Sequence, residues 1–339
     1  MKNRTLLLLS IFLCFAIFSS GCGKKQTINA KENTQSPSEK NLSISENNLP
    51  EPKEPEIEKK KEGLPGVFAV SIDNQEGAYP QTGLEYADRI YELLSEGGIT
   101  RLLALYYSQE AEKIGPVRSS RPYFLEIVAG LGAPLAHAGG STKALNMAVE
   151  LKTKDLDEIY NAAECFWRDK NRKMPHNLFT STDRLLAGAE KRNYSTASLR
   201  PLAQGKSQGG VSAERIEIIY RRGGYEVAYA WDSEKATYKR LVNNKPHRTS
   251  AGIELETQNL LILETETRNI NGKIPETQID IIGRGRAIFA TDGKIYEGEW
   301  VKKDAFSDFQ FLYAGKEMLF VGEHAWISFV PSFAKVNIK

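Results

Sequence analysis

Three short segments of this sequence set arginine or histidine directly beside glycine or proline. Ile114-Gly115-Pro116-Val117-Arg118-Ser119-Ser120-Arg121-Pro122 opens a predicted helix with two arginines. His137-Ala138-Gly139-Gly140-Ser141 joins a strand to a helix, and Phe166-Trp167-Arg168-Asp169-Lys170-Asn171-Arg172 leads through Met174-Pro175 to His176-Asn177. A guanidinium fork suits carboxylate or phosphate, and free amides at a helix start add partial positive charge. If the segments converge, Arg118, Arg121, Arg168 and Arg172, with His137, Ser141 and His176, form a pocket for an anion or a partner. The competing reading pairs the same arginines with Asp73, Asp88, Glu92, Glu96 or Asp169 in structural networks.

Catalytic readings are open but thin. Ser141 follows His137 closely enough for a nucleophile and base, yet it stands where a helix N-cap belongs. Cys165 lies near Arg168 and His176, which favour a thiolate, but its neighbours Ala162, Ala163, Phe166 and Trp167 favour a core position. The Gly-Cys-Arg element of exported L,D-transpeptidases is absent. The four histidines, at 137, 176, 247 and 324, have no paired spacing and no cysteine pair accompanies them, so no metal site is predicted. Without a P-loop or a Rossmann glycine pattern, no cofactor is predicted either; Gly283-Arg284-Gly285-Arg286 reads as a basic β-turn. Tyr225, Tyr229, Trp231, Tyr238, Arg240, Trp300, Phe309, Phe311 and Trp326 can stack on sugars, but on a β module they are core by default.

The elements that must position these residues fall into two patterns. Strands at Val67–Ile72, Arg89–Leu94, Thr100–Tyr107 and Ala133–Ala138 alternate with helices at Pro122–Leu131, from Ser141 to about Leu151, and at Asp183–Arg192, the last capped by Ser181 or Thr182. This predicts an α+β or α/β domain over 64–200. A Gln-, Ser- and Gly-rich linker follows at 201–213. Residues 214–339 carry nine short β-type runs with turn pairs Gly223-Gly224, Asn271-Gly272 and Asp292-Gly293, predicting a mostly-β domain, a small sandwich or open barrel.

The amino terminus supplies an address. Lys2 and Arg4 precede an apolar run from Leu6 to Phe18, then Ser19-Ser20-Gly21-Cys22. This is a signal peptide over 1–21 with a lipoprotein-type cysteine, although Ser19 stands where an aliphatic residue is usual. Acyl chains on Cys22 would anchor the protein at about 0.8 kcal/mol per buried methylene. Residues 22–63 are polar, charged and proline-rich, a tether with a mean reach on the order of 35 Å. With Cys14 removed and Cys22 acylated, only Cys165 remains and no internal disulfide forms. The net charge of +2 gives no global field and no reason to expect nucleic acid as a partner.

Beyond these readings, Ser-Ile-Asp-Asn at 71–74, Glu-Gly-Gly-Ile-Thr-Arg at 96–101, the segments at 115–122 and 137–141, Pro-His-Asn-Leu at 175–178, and the runs at 283–287, 292–294 and 298–300 resemble the YerB-like lipoproteins of Gram-positive bacteria. The resemblance covers nearly all of the chain after the tether. It implies a lipoprotein of two domains of unknown function and no particular reaction. The expectation is an extracytoplasmic, membrane-anchored protein that binds an anionic envelope component, such as a cell-wall polymer, or a wall-synthesis protein. A hydrolase or transferase acting on wall material and an assembly scaffold without a small ligand are the alternatives.

Overall fold

The structure, a computed structural model, describes residues 63–270 and 276–339. The signal peptide, Cys22, nearly all of the tether and the Asn271-Gly272 turn lie outside those residues. The first strand, β1 (Phe68–Asp73), is buried at every position, the signature of a strand covered on both faces. Its alternate side chains serve two cores: Phe68, Val70 and Ile72 pack in one, Val67 and Ala69 in the other. Beside it run β2 (Arg89–Leu94), β3 (Thr100–Tyr106), β4 (Leu135–His137) and β5 (Asp155–Asp157), in the order β2-β3-β1-β4-β5. Helix α1 (Pro122–Leu131) starts at a proline and stops at left-handed Gly132, whose amide bonds the Ala129 and Val128 carbonyls. Helices α2 (Thr142–Glu150) and α3 (Thr182–Lys191) are capped by the Ser141 and Ser181 hydroxyls.

The two halves share one sheet. The strand Ala325–Val330, buried throughout, pairs parallel with β2 on one side and with Asn259–Glu264 on the other. Through it the strands Gly283–Thr291, Lys294–Lys302 and Gln310–Tyr313 extend the first half's sheet to twelve strands. The expected sandwich or barrel of 214–339 is therefore not a body of its own. A strand buried on both faces needs neighbours on both edges, and the first half supplies one of them. Arg215–Arg221, Tyr225–Asp232, Thr237–Val242 and three short strands form a separate, six-stranded sheet, and Thr267–Ile270 pairs with Glu276–Ile279 in a two-stranded one. The six-stranded sheet contributes Ile216, Ile218 and Tyr229 to the core on the face of β1 opposite α1.

The stretch 201–213 is no free spacer. Leu202 is buried, the Gly205 amide bonds the Phe320 carbonyl, and Val211–Ser212 pairs with Lys294 and Ile295. The described residues all belong to one compact unit. The first half adds three helices to its strands, while the second is mostly β. Among the described residues no helix is long and apolar enough to cross a membrane.

Candidate functional site

The three segments singled out by sequence do meet, through their backbones. Asp73 donates its amide to the Pro116 carbonyl, Val117 to Leu178, Ala138 to Arg118 and Ser120 to Gly139. Trp167 and Arg168 pair in turn with Phe179 and Leu178. Their side chains divide among separate partners.

Arg118 Nε lies 3.4 Å from the buried Asp73 carboxylate, and His176 Nδ1 lies 2.8 Å from the same oxygen. Arg172 donates to the carbonyls of Ala78 and Pro80. Arg121 forms two parallel bonds of 2.7 Å to Glu96. Arg168 bonds Asn177 and Glu158. The Ser141 hydroxyl caps α2, and the ring nitrogens of fully buried His137 are taken by the Gly139 carbonyl and Asp155. No nucleophile–base pair joins Ser141 to His137 in this arrangement. Cys165 is core: it is buried, burial raises its thiol pKa, and its sulfur sits where a Cβ on Gly188 would be.

His137, Asp155 and Asp157 offer ligand atoms within 4.8 Å of one another, a grouping that the histidine spacing does not reveal. Both ring nitrogens face acceptors, the Gly139 carbonyl and Asp155, with the Asp157 carboxylate 3.7 Å from Nδ1, an arrangement that fits an imidazolium. Burial alone would lower the His137 pKa; the Asp155 bond and the charges of both aspartates outweigh it and raise it.

These pairings position two loops. His176, Arg118 and Arg172 hold residues 73–80, and His176 packs so closely that a Cβ on Gly77 would lie 2.7 Å from its Nε2. Arg121 holds the turn Glu96–Gly98 after β2. Burial works to raise the Glu96 carboxyl, but the bonds from Arg121 and Ser95 prevail and hold its pKa at about 2.

Between these loops and the edge of the six-stranded sheet lies a cavity of about 480 Å³. Asn74, Tyr79, Tyr225 and His247 form its base. Ile99, Pro80, Val242 and Pro246 supply apolar walls, and Arg221, Lys245 and Arg248 stand exposed at its mouth with one carboxylate, Glu76.

Beneath the base runs a closed polar network. Glu92 and Arg240, both fully buried, pair at 2.9 Å. Glu92 also accepts from Thr100, Tyr225 and Trp326. Arg240 donates to Tyr225, Tyr229 and His247 Nδ1, and its guanidinium lies 4.1 Å from the Trp326 ring centroid. An arginine can only donate, so Nδ1 of His247 accepts and Nε2 carries the proton that Gln81 Oε1 receives at 2.9 Å. Burial, then the charge of Arg240, lowers the His247 pKa and keeps the ring neutral. Gln81 and the Tyr79 hydroxyl donate to Asn74 Oδ1, and Asn74 Nδ2 donates to Thr100 and Tyr225.

Sequence reasoning named the arginines that brace the pocket and passed over the residues that line it. Of the β-domain aromatics named from the sequence, all but Trp231 are buried, and only Tyr225 reaches the cavity.

Two domains that share one sheet, with a cavity at their seam, are the class these features define. Two family models match the chain: the N-terminal domain of a protein of unknown function (DUF3048) over residues 54–195, and the C-terminal domain of the same family over 216–327. The chain is similar to the Bacillus subtilis (strain 168) protein named "Putative lipoprotein YerB", 29% identical over 276 residues, covering 80% of this chain and 82% of that one. It is also similar to the crystal structure of the YerB protein from Bacillus subtilis, with a TM-score of 0.74 and 28% identity over 81% of this chain and 93% of the other. This chain belongs to the YerB-like family.

Proposed function

We propose that this protein is a lipid-anchored, extracytoplasmic binding protein for an anionic component of the cell envelope, held at the mouth of the seam cavity. The signal-like amino terminus with Cys22 and the lipoprotein name of the relative support the location. One observation carries the ligand chemistry. Arg221 and Lys245 stand at the mouth with no ion-pair or hydrogen-bond partner for their side chains among the described residues. By contrast, Arg121 is paired with Glu96 and Arg286 with Glu264. Unpaired cations grouped around a concave, aromatic-based site favour a carboxylate or phosphate ligand.

The test is calorimetric titration of the chain with purified anionic wall polymer and with peptidoglycan fragments, at low and at physiological ionic strength. Binding that weakens with salt and is lost in Arg221→Glu with Lys245→Glu is expected. Equal binding by that variant removes the mouth as the site.

A further inference from the structure

We infer that the seam cavity takes an amphiphilic anion, with an apolar body inside the cavity and a single phosphate or carboxylate head at the mouth. The inference rests on the anion-binding reading above and names the class of molecule.

The argument comes from what the base cannot do. Asn74 uses both lone-pair directions of its oxygen and both amide protons within the network. The Tyr79 hydroxyl donates inward to Asn74, and the Tyr225 hydroxyl donates to Glu92 while accepting from Asn74 and Arg240. Both nitrogens of His247 are occupied by Arg240 and Gln81. A phosphate pushed to the base would lose its water and find no free donor, which costs about 1–3 kcal/mol per group. An apolar body meets instead the Tyr79 and Tyr225 rings and the side chains of Ile99 and Val242. Burying it there is favourable at about 25 cal/mol per Å².

Charge is offered only at the opening, by Arg221, Lys245 and Arg248. Arg248 is shared with Glu254, which leaves the first two for the head group. The cavity is thus apolar in depth and cationic at the mouth, the complement of an amphiphile that carries its charge at one end.

The experiment uses the chain from residue 22 onward, without the signal peptide and carrying Cys22→Ser, so that no detergent is needed, and 1-anilinonaphthalene-8-sulfonate as fluorescent probe. Decyl phosphate, glycerol phosphate and decanol are the competitors. The expected result is one saturable site from which decyl phosphate displaces the probe at least about tenfold more effectively than the head alone or the tail alone. Arg221→Ala with Lys245→Ala should weaken decyl phosphate about tenfold, and Val242→Asp should abolish it, with thermal melts confirming that both variants fold. If glycerol phosphate competes as well as decyl phosphate, or decyl phosphate displaces nothing, the amphiphile inference is overturned. Salt-sensitive binding of wall polymer to the same protein would then leave the anion-binding reading standing; loss of both would remove both.

Discussion

Charge is handled in opposite ways on the two sides of the seam cavity. Below its base, Glu92 and Arg240 are sealed from water; Glu92 accepts four hydrogen bonds and Arg240 donates four. At the mouth, Arg221 and Lys245 face solvent with none. A buried pair is expensive to desolvate and is tolerated when it is fully satisfied. An exposed unpaired cation costs the fold little and remains available. The lower cluster therefore fixes the shape of the cavity, and the upper one is free to act on something that enters it.

The largest effect tests the buried side. Glu92→Ala orphans Arg240 and is expected to lower stability by about 3–5 kcal/mol in urea unfolding, with much of the loss regained in Glu92→Leu combined with Arg240→Met. Because the halves share a sheet, wild type should unfold in one cooperative transition; two separate transitions would break the picture of a single body.

Arg121→Ala removes a two-point bond from a partly exposed pair, for which about 1–2 kcal/mol is expected in the same assay. It should also weaken binding at the mouth, since the Glu96–Gly98 turn precedes Ile99.

His137 sharpens the comparison with a third case, a buried cation that titrates. Its folded pKa is raised, so its contribution is fully present below the ordinary histidine pKa and is lost as pH rises through the raised value. Melting curves should show Tm falling by roughly a few degrees over that window in wild type and a flatter profile in His137→Gln. The smallest effect belongs to the mouth: Arg221→Ala should change unfolding free energy by less than about 0.5 kcal/mol.

Much of the fold was legible in the residues. Helix α1 runs over the predicted Pro122–Leu131, because proline at its start and Gly132 at its end are local signals. The turn at Asp292-Gly293 and the runs flanking it were readable for the same reason. The shared sheet was not, because Ala325–Val330 looks alike whether its neighbours come from its own half or from the other. The cavity was hidden by distance: Glu92 and Arg240 are 148 residues apart. A signal was nevertheless present. Glu92 follows Ile90 on the face of β2 that packs in the same core as the six-stranded sheet, and Arg240 alternates with buried Tyr238. A charge on the apolar face of a strand demands a partner, and two such strands with opposite charges suggest each other. The arginines beside Gly and Pro were conspicuous, but that pattern marks tight turns that need bracing as readily as it marks a binding site.

The strand Ala325–Val330 also bears on how the molecule is made. It ends nine residues before the last residue, Lys339, yet it fills the gap between β2 and Asn259–Glu264 in the middle of the sheet. A chain synthesised from its amino terminus holds β2 and Asn259–Glu264 with open edges until Ala325–Val330 has emerged. Contacts of such high sequence separation form slowly, and open strand edges are templates for wrong pairing. A chain stopped short of Ala325 would thus be left with two exposed edges rather than a smaller folded protein.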